Sequence, residues 1–324
     1  MEDLRPLFLF SLPRSGSTLL QRMLGCHSEI STVNEPWILL PLLYSLRDRG
    51  VYAEYGHRTA AKAIEDLCAQ LPGGADAYRD EIKQLAMRIY RQLSSPSTTY
   101  FLDKTPRYHF VADEIIRLFD DGRFVFLWRN PLAVVASIVA TWAGGRWRPY
   151  LYKVDMFSGL AALVDAYQRH PERSISLRYE DLVSAPEKQV RALLDHLDLV
   201  WDAAVLGGPA QTLNGRMGDP TGVDDYQAVS SQPLEKWKRV LTSPVRKQWS
   251  RRYLRWVGQE RLAVMGYDLE ALLDELEAIP VRSATAASDL LLSAKSVAWS
   301  LVEPSIAREK AARLPQWHRI HSHS

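Results

Sequence analysis

The stretch from Leu7 to Leu24 constrains this chain more than any other. Its apolar run, Leu7-Phe8-Leu9-Phe10, is short and unbroken, and reads as a strand buried on both faces. Pro13 and Gly16 end it, and Thr18 to Leu24 then sets Leu19, Leu20, Met23 and Leu24 on one side of a helix. A strand, a glycine-containing turn and a helix open a βαβ unit. Phe124–Trp128 repeats the pattern, with Arg129-Asn130-Pro131 and a helix from about Leu132 to Thr141. So does Ser174–Leu177, with Tyr179-Glu180-Asp181 as the turn and a helix beginning near Pro186. Three such units predict an α/β fold, a parallel sheet flanked by helices.

At 324 residues the chain is long for one domain, so insertions in a large α/β domain are expected. Tyr52 to Leu93 reads as a helical insertion broken at Leu71-Pro72-Gly73-Gly74, and Trp142 to Phe157 as an aromatic one. The expected organisation is a main domain over 1–280, carrying a helical insertion at about 52–95, and a loosely attached helical extension or tail over 281–324. A net charge of +2 gives no strong global field toward nucleic acid or anionic membranes. Two cysteines, Cys26 and Cys68, exclude a disulfide framework and fit a reducing compartment. No stretch reaches the length of a membrane span, and the location expected is cytoplasmic. The late histidines have no fixed scaffold nearby, and no metal is expected.

The turn Pro13-Arg14-Ser15-Gly16-Ser17-Thr18 suits an oxyanion. Backbone N–H groups and a helix N-terminus attract phosphate or sulfate. Gly16 permits close approach, Ser17 and Thr18 add hydroxyls, and Arg14 adds a fixed cation. The nucleotide-kinase loop G-x-x-x-x-G-K-[ST] is not matched, because Ser17 stands where its lysine would be. A second anion site is written in Arg129, at the carboxyl end of a strand, and Ser137, about two helical turns on.

Leu12 to Leu19 resembles the 5′-phosphosulfate loop of sulfotransferases that use 3′-phosphoadenosine 5′-phosphosulfate (PAPS), most closely the tyrosylprotein sulfotransferase-like and bacterial branch. Arg129 and Ser137 resemble that family's 3′-phosphate motif, and Asp103-Lys104-Thr105-Pro106 its Lys-x-Pro element. Leu177 to Leu182, with Tyr179, and the pair Lys236-Trp237 are similar to two further cofactor-side segments. The resemblance covers roughly residues 5–240 and implies a P-loop-like fold. It implies donor binding by Arg14, Ser15, Gly16, Ser17, Thr18, Arg129, Ser137, Tyr179 and Lys236. Either Asp219 or Thr221 falls where the branch contacts the sulfate.

Sulfuryl transfer to a hydroxyl needs donor binding, neutralisation of the leaving oxygen and a proton acceptor. Arg14 and Lys104 fit the first two tasks. Glu35, 21 residues after Arg14, lies where the resemblance places a glutamate base, and His27 and His109 are the other bases available. His27 also reads as a helix-end cap. The acceptor expected is a small-molecule, lipid or carbohydrate hydroxyl ahead of a protein tyrosine. Trp147, Tyr150 and Tyr152 are expected to wall it, or else to complete the core. A P-loop kinase and a catalytically silent nucleotide-binding protein remain as alternatives. The basic run from Lys236 to Arg255 raises nucleic-acid binding, but its apolar spacing favours amphipathic helices.

Overall fold

The computed structural model describes residues 4–53, 55–207 and 233–300. Strands β1 (Arg5–Ser11), β2 (Ile30–Thr32), β3 (Tyr100–Asp103), β4 (Arg123–Trp128) and β5 (Ser174–Arg178) form one sheet in the order β2-β3-β1-β4-β5. Every pairing is parallel. Helices α1 (Ser17–Gly25), α2 (Leu39–Tyr44), α3 (His57–Gln70), α4 (Gly74–Leu93) and α5 (Ala112–Leu118) lie between β1 and β4. Helices α6 (Pro131–Thr141), α7 (Leu160–Arg169), α8 (Tyr179–Ser184) and α9 (Pro186–His196) follow. The expected α/β sheet is present.

The period-two side-chain alternation of a strand divides the core between the two sheet faces. Leu7, Leu9, Leu102, Val125 and Leu127 join Leu19, Leu20, Met23 and Leu24 of α1 and Val190, Leu193 and Leu194 of α9. Phe8, Phe10, Phe101, Phe124 and Phe126 join α5, α6 and α7. Burial on both faces explains why β1 and β4 read as unbroken apolar runs. β2 and β3 were not anticipated, having three and four residues. Tyr179-Glu180-Asp181, expected as a turn, is the first part of the helix α8. The start of α6 is set by Asn130, whose side chain accepts from Leu132 N at 2.9 Å, and by Pro131 in the first turn. In the inserted hairpin, α3 and α4 are separated by Gly73, at φ 99°.

Two expectations change. Trp147 is fully buried, edge-on to Trp249 at 5.4 Å, and belongs to the core instead of an acceptor wall. Tyr152, by contrast, is only partly buried and lies tilted against the exposed Trp142, ring centres 5.3 Å apart. The late helix Ala286–Ser300 is not loosely attached, because its Asp289 is buried and pairs with the buried Arg246 through Nε at 2.8 Å and Nη2 at 2.9 Å. Four members of the basic run, Arg246 among them, are engaged within the fold, while Lys236, Arg239, Arg252 and Arg255 are exposed. Lys247 donates to the carbonyls of Glu277 and Ile279, Arg251 pairs with Glu277, and Lys238 pairs with Glu235. Among the described residues no helix is long and apolar enough to cross a membrane.

Candidate active site

All five strands run in one direction, so their carboxyl ends share one edge of the sheet. A residue singled out from the sequence follows each end. Glu35 lies just past β2, Lys104 follows β3, Arg14 lies just past β1, Arg129 follows β4 and Tyr179 follows β5. Strand order therefore sets the lateral order Glu35, Lys104, loop, Arg129, Tyr179. β1 lies between β3 and β4, which puts the loop at a topological switch point, where open α/β sheets bind ligands.

Within the loop, Arg14 and Gly16 take left-handed backbone conformations, at φ 68° and 93°. A Cβ on residue 16 would collide with the Tyr179 ring, so only glycine fits this cradle. Leu19 N and Leu20 N both bond to the Gly16 carbonyl, at 3.0 and 3.3 Å. A helix start leaves its first amides, here those of Ser17 and Thr18, without intrahelical acceptors. No acidic residue stands in the first turn of α1 to oppose an anion.

Beside the loop, Arg14 Nε donates to Ser137 Oγ at 3.2 Å, and Arg129 Nη1 donates to the Arg14 carbonyl at 2.8 Å. The Arg129 guanidinium lies 4.3 Å from the centre of the Tyr179 ring, and its buried Nε has no hydrogen-bond partner. Burial pushes the Tyr179 hydroxyl above its ordinary pKa, with Arg129 opposing. The structure thus joins Arg14, Gly16, Arg129, Ser137 and Tyr179. Two supports were missed in the sequence. Glu180 accepts from Asn130 N at 3.0 Å and from the Tyr267 hydroxyl at 2.6 Å, tying the turn after β4 to α8.

On the other side of the loop, Lys104 Nζ donates to Glu35 Oε1 at 2.8 Å. The Lys104 side chain is 1% exposed and that of Glu35 is 9% exposed. Glu35 Oε2 accepts from the Trp37 indole at 3.2 Å. The two residues assigned separate tasks from the sequence are therefore one ion pair. The histidines are engaged elsewhere: His27 bonds to Val200 O at 2.9 Å and accepts from Glu29 N, closing the turn after α1. His109 is buried against Asp155 at 3.0 Å. Lys236 is exposed on the helix Pro233–Val240, which packs against α6, the helix that carries Ser137. Asp219 and Thr221 lie outside the described residues.

Asp103, directly before Lys104, is fully buried, and burial raises its pKa to about 6 against hydrogen bonds from Tyr90, Tyr108 and Thr105 and the charge of Lys104. The folded chain then holds a proton that the unfolded chain releases near pH 4. This group's contribution makes stability fall as pH rises through roughly 4 to 6, by about 3 kcal/mol in all. Urea melts of wild type and Asp103→Asn at pH 4.5 and 7 check this. The wild type should lose more stability than the variant between those two values, and equal pH slopes would contradict the shift.

Residues 6–203 match the model of the Sulfotransferase family. The chain belongs to that family. It is 30% identical over 271 residues to the nodulation protein NoeE of Sinorhizobium fredii, a match covering 74% of this chain and 62% of that protein. It is 25% identical over 281 residues to a protein-tyrosine sulfotransferase of Drosophila melanogaster, covering 81% of this chain and 51% of the other. The chain therefore spans less than two thirds of the length of these two relatives. The sulfotransferase domain of the Synechococcus PCC 7002 olefin synthase shares the fold, with a TM-score of 0.51 and 25% identity over 73% of this chain and 88% of that one. In this sulfotransferase-family chain, the matched region takes in the five strands from Pro6 onward and every candidate site residue except Lys236, Asp219 and Thr221.

Proposed function

We propose that the chain transfers the sulfuryl group of PAPS to an acceptor hydroxyl and releases adenosine 3′,5′-bisphosphate. The observation that carries this reading is the row of groups along the sheet edge. An anion-ready loop sits at the switch point, with Arg129, Ser137 and Tyr179 on one side and the Lys104–Glu35 pair on the other. The buried, unpartnered Arg129 Nε and the Gly16 cradle fit an anionic nucleotide. Arg14, Ser15, Gly16, Ser17 and Thr18 hold the phosphosulfate end. Arg129 and Ser137 hold the 3′-phosphate, with Tyr179 beside the nucleotide and Lys236 approaching it.

Glu35 accepts the proton as the acceptor oxygen bonds to sulfur. The bond from sulfur to the phosphate oxygen breaks, and its electron pair leaves on that oxygen, where Lys104 and Arg14 offset the charge. Pairing with Lys104 holds the Glu35 side chain in place at a buried position beside the loop. Cys26 and Cys68 form no disulfide, which supports a reducing, cytoplasmic setting. An acceptor met there is a small-molecule, lipid or carbohydrate hydroxyl ahead of a tyrosine of a secreted protein.

Calorimetry tests the donor assignment. Arg129→Ala should weaken PAPS and adenosine 3′,5′-bisphosphate together, by about 10- to 100-fold, since a hydrogen bond to a charged group contributes about 1.5–3 kcal/mol. Equal affinity of variant and wild type for the bisphosphate would remove Arg129 from the site.

A further inference from the structure

Glu35 sits on a segment with an unfavourable backbone. Trp37 takes φ 56°, a left-handed conformation that costs a bulky side chain energy and persists only where its surroundings impose it. Two hydroxyls fasten that segment. Trp37 N donates to Thr105 Oγ1 at 3.2 Å, and Leu39 N donates to the Tyr108 hydroxyl at 3.2 Å. Each hydroxyl has a single proton, and each gives it to Asp103. Thr105 donates to Oδ1 at 3.2 Å and Tyr108 to Oδ2 at 2.9 Å. The Tyr90 hydroxyl, from the inserted hairpin, donates to Oδ2 at 2.6 Å and is not bonded to residues 35–39.

We propose that Asp103 is a positioning residue for Glu35. By taking the protons of Thr105 and Tyr108, the carboxylate leaves their lone pairs facing the Trp37 and Leu39 amides, and so fixes segment 35–39 against the end of β3. The Trp37 indole then holds Glu35 Oε2. Because β3 also delivers Lys104, one strand end sets both members of the ion pair. Asn at position 103 would present an amide N–H to one of these hydroxyls, compete with the backbone amide for its lone pairs and loosen the segment. The inference rests on Glu35 as the base, and its test is chosen to separate the two.

Amide hydrogen exchange, read residue by residue on the full chain, reports the fastening without reference to activity. Asp103→Asn should speed exchange at Trp37 and Leu39 about 10-fold or more, with β1 unchanged. Tyr90→Phe, which removes a donor not bonded to residues 35–39, should leave both amides at wild-type rates. Unchanged exchange in Asp103→Asn, or equal acceleration in Tyr90→Phe, would overturn the proposal. Where Asp103→Asn does not fold, Tyr108→Phe should release Leu39 and Thr105→Val should release Trp37, and wild-type exchange in both would overturn it as well. Turnover supplies the second reading. Asp103→Asn should lower kcat about 10-fold in the wild-type background, leave bisphosphate affinity unchanged, and have little further effect in Glu35→Gln. Losses that multiply in the double variant would mean that Asp103 does not act through Glu35. Normal turnover in Glu35→Gln alone would overturn the base assignment, while the exchange data would still decide the fastening.

Discussion

Glu35→Gln is expected to lower turnover by about 10²–10⁴-fold, the usual contribution of a general base. Affinity for adenosine 3′,5′-bisphosphate should stay within about twofold, because the proposed base lies across the loop from Arg129, Ser137 and Tyr179, the groups proposed to hold the nucleotide. The substitution keeps the side chain's shape and its acceptor for the Trp37 indole. It removes the carboxylate charge that pairs with Lys104, whose side chain is 1% exposed. Part of the loss is therefore electrostatic, since removing one charge of a buried ion pair leaves the other less well compensated. Two comparisons separate the contributions. Acceptor phenols of increasing acidity should need the base less, so the loss should shrink across such a series. Lys104→Ala should instead depend on leaving-group stabilisation, and Glu35→Gln with Lys104→Ala should cost less than the product of the single losses. Near-normal turnover of Glu35→Gln with every phenol would move the proton acceptor elsewhere.

Asp289→Ala should destabilise the fold by about 3–5 kcal/mol, the cost of breaking a buried ion pair and leaving one partner uncompensated. Arg246, with a side chain 9% exposed, would keep its bonds to the Val240 and Gly145 carbonyls but lose both carboxylate contacts. Those carbonyls belong to the helix Pro233–Val240 and to the aromatic insertion, so the same guanidinium joins three separate segments. Thr285 would also lose its acceptor on Asp289. A urea melt measures the change. Replacing both partners, as in Arg246→Met with Asp289→Leu, should recover most of the loss, because apolar packing avoids the desolvation of two charges. A melt of Asp289→Ala that coincides with wild type would contradict a role for this pair in holding the late helix.

What the sequence made legible divides along physical lines. β1, β4 and β5 could be read because five to seven residues, apolar at most of their buried positions, precede a turn residue and a helix. β2 and β3 carry three and four residues, too few for periodicity to register, and they form through pairing with neighbours far along the chain. The same limit hid the Lys104–Glu35 pair. The partners are 69 residues apart, and they meet because β3 lies between β2 and β1. Asp103 was visible as a residue but not as a hub, since its donors come from α4 and from the turn after β3. Trp147 looked like a loop aromatic because local composition does not reveal that Trp249 and Arg246 close over it. The loop and the Arg129–Ser137 spacing were legible because their chemistry is local: a turn, a helix start and two helical turns.

The central claim is sulfuryl transfer from PAPS, and product analysis tests it most directly. The full chain would be incubated with PAPS and a panel of phenols, alcohols, carbohydrates and hydroxylated lipids, with adenosine 3′,5′-bisphosphate release and acceptor mass followed together by mass spectrometry. Sulfuryl transfer predicts one sulfated acceptor formed for each bisphosphate released, with both signals falling together in Glu35→Gln, and in Arg129→Ala at sub-saturating PAPS. Phosphorylated acceptor from ATP with no product from PAPS, or PAPS bound with neither product across the panel, would contradict it.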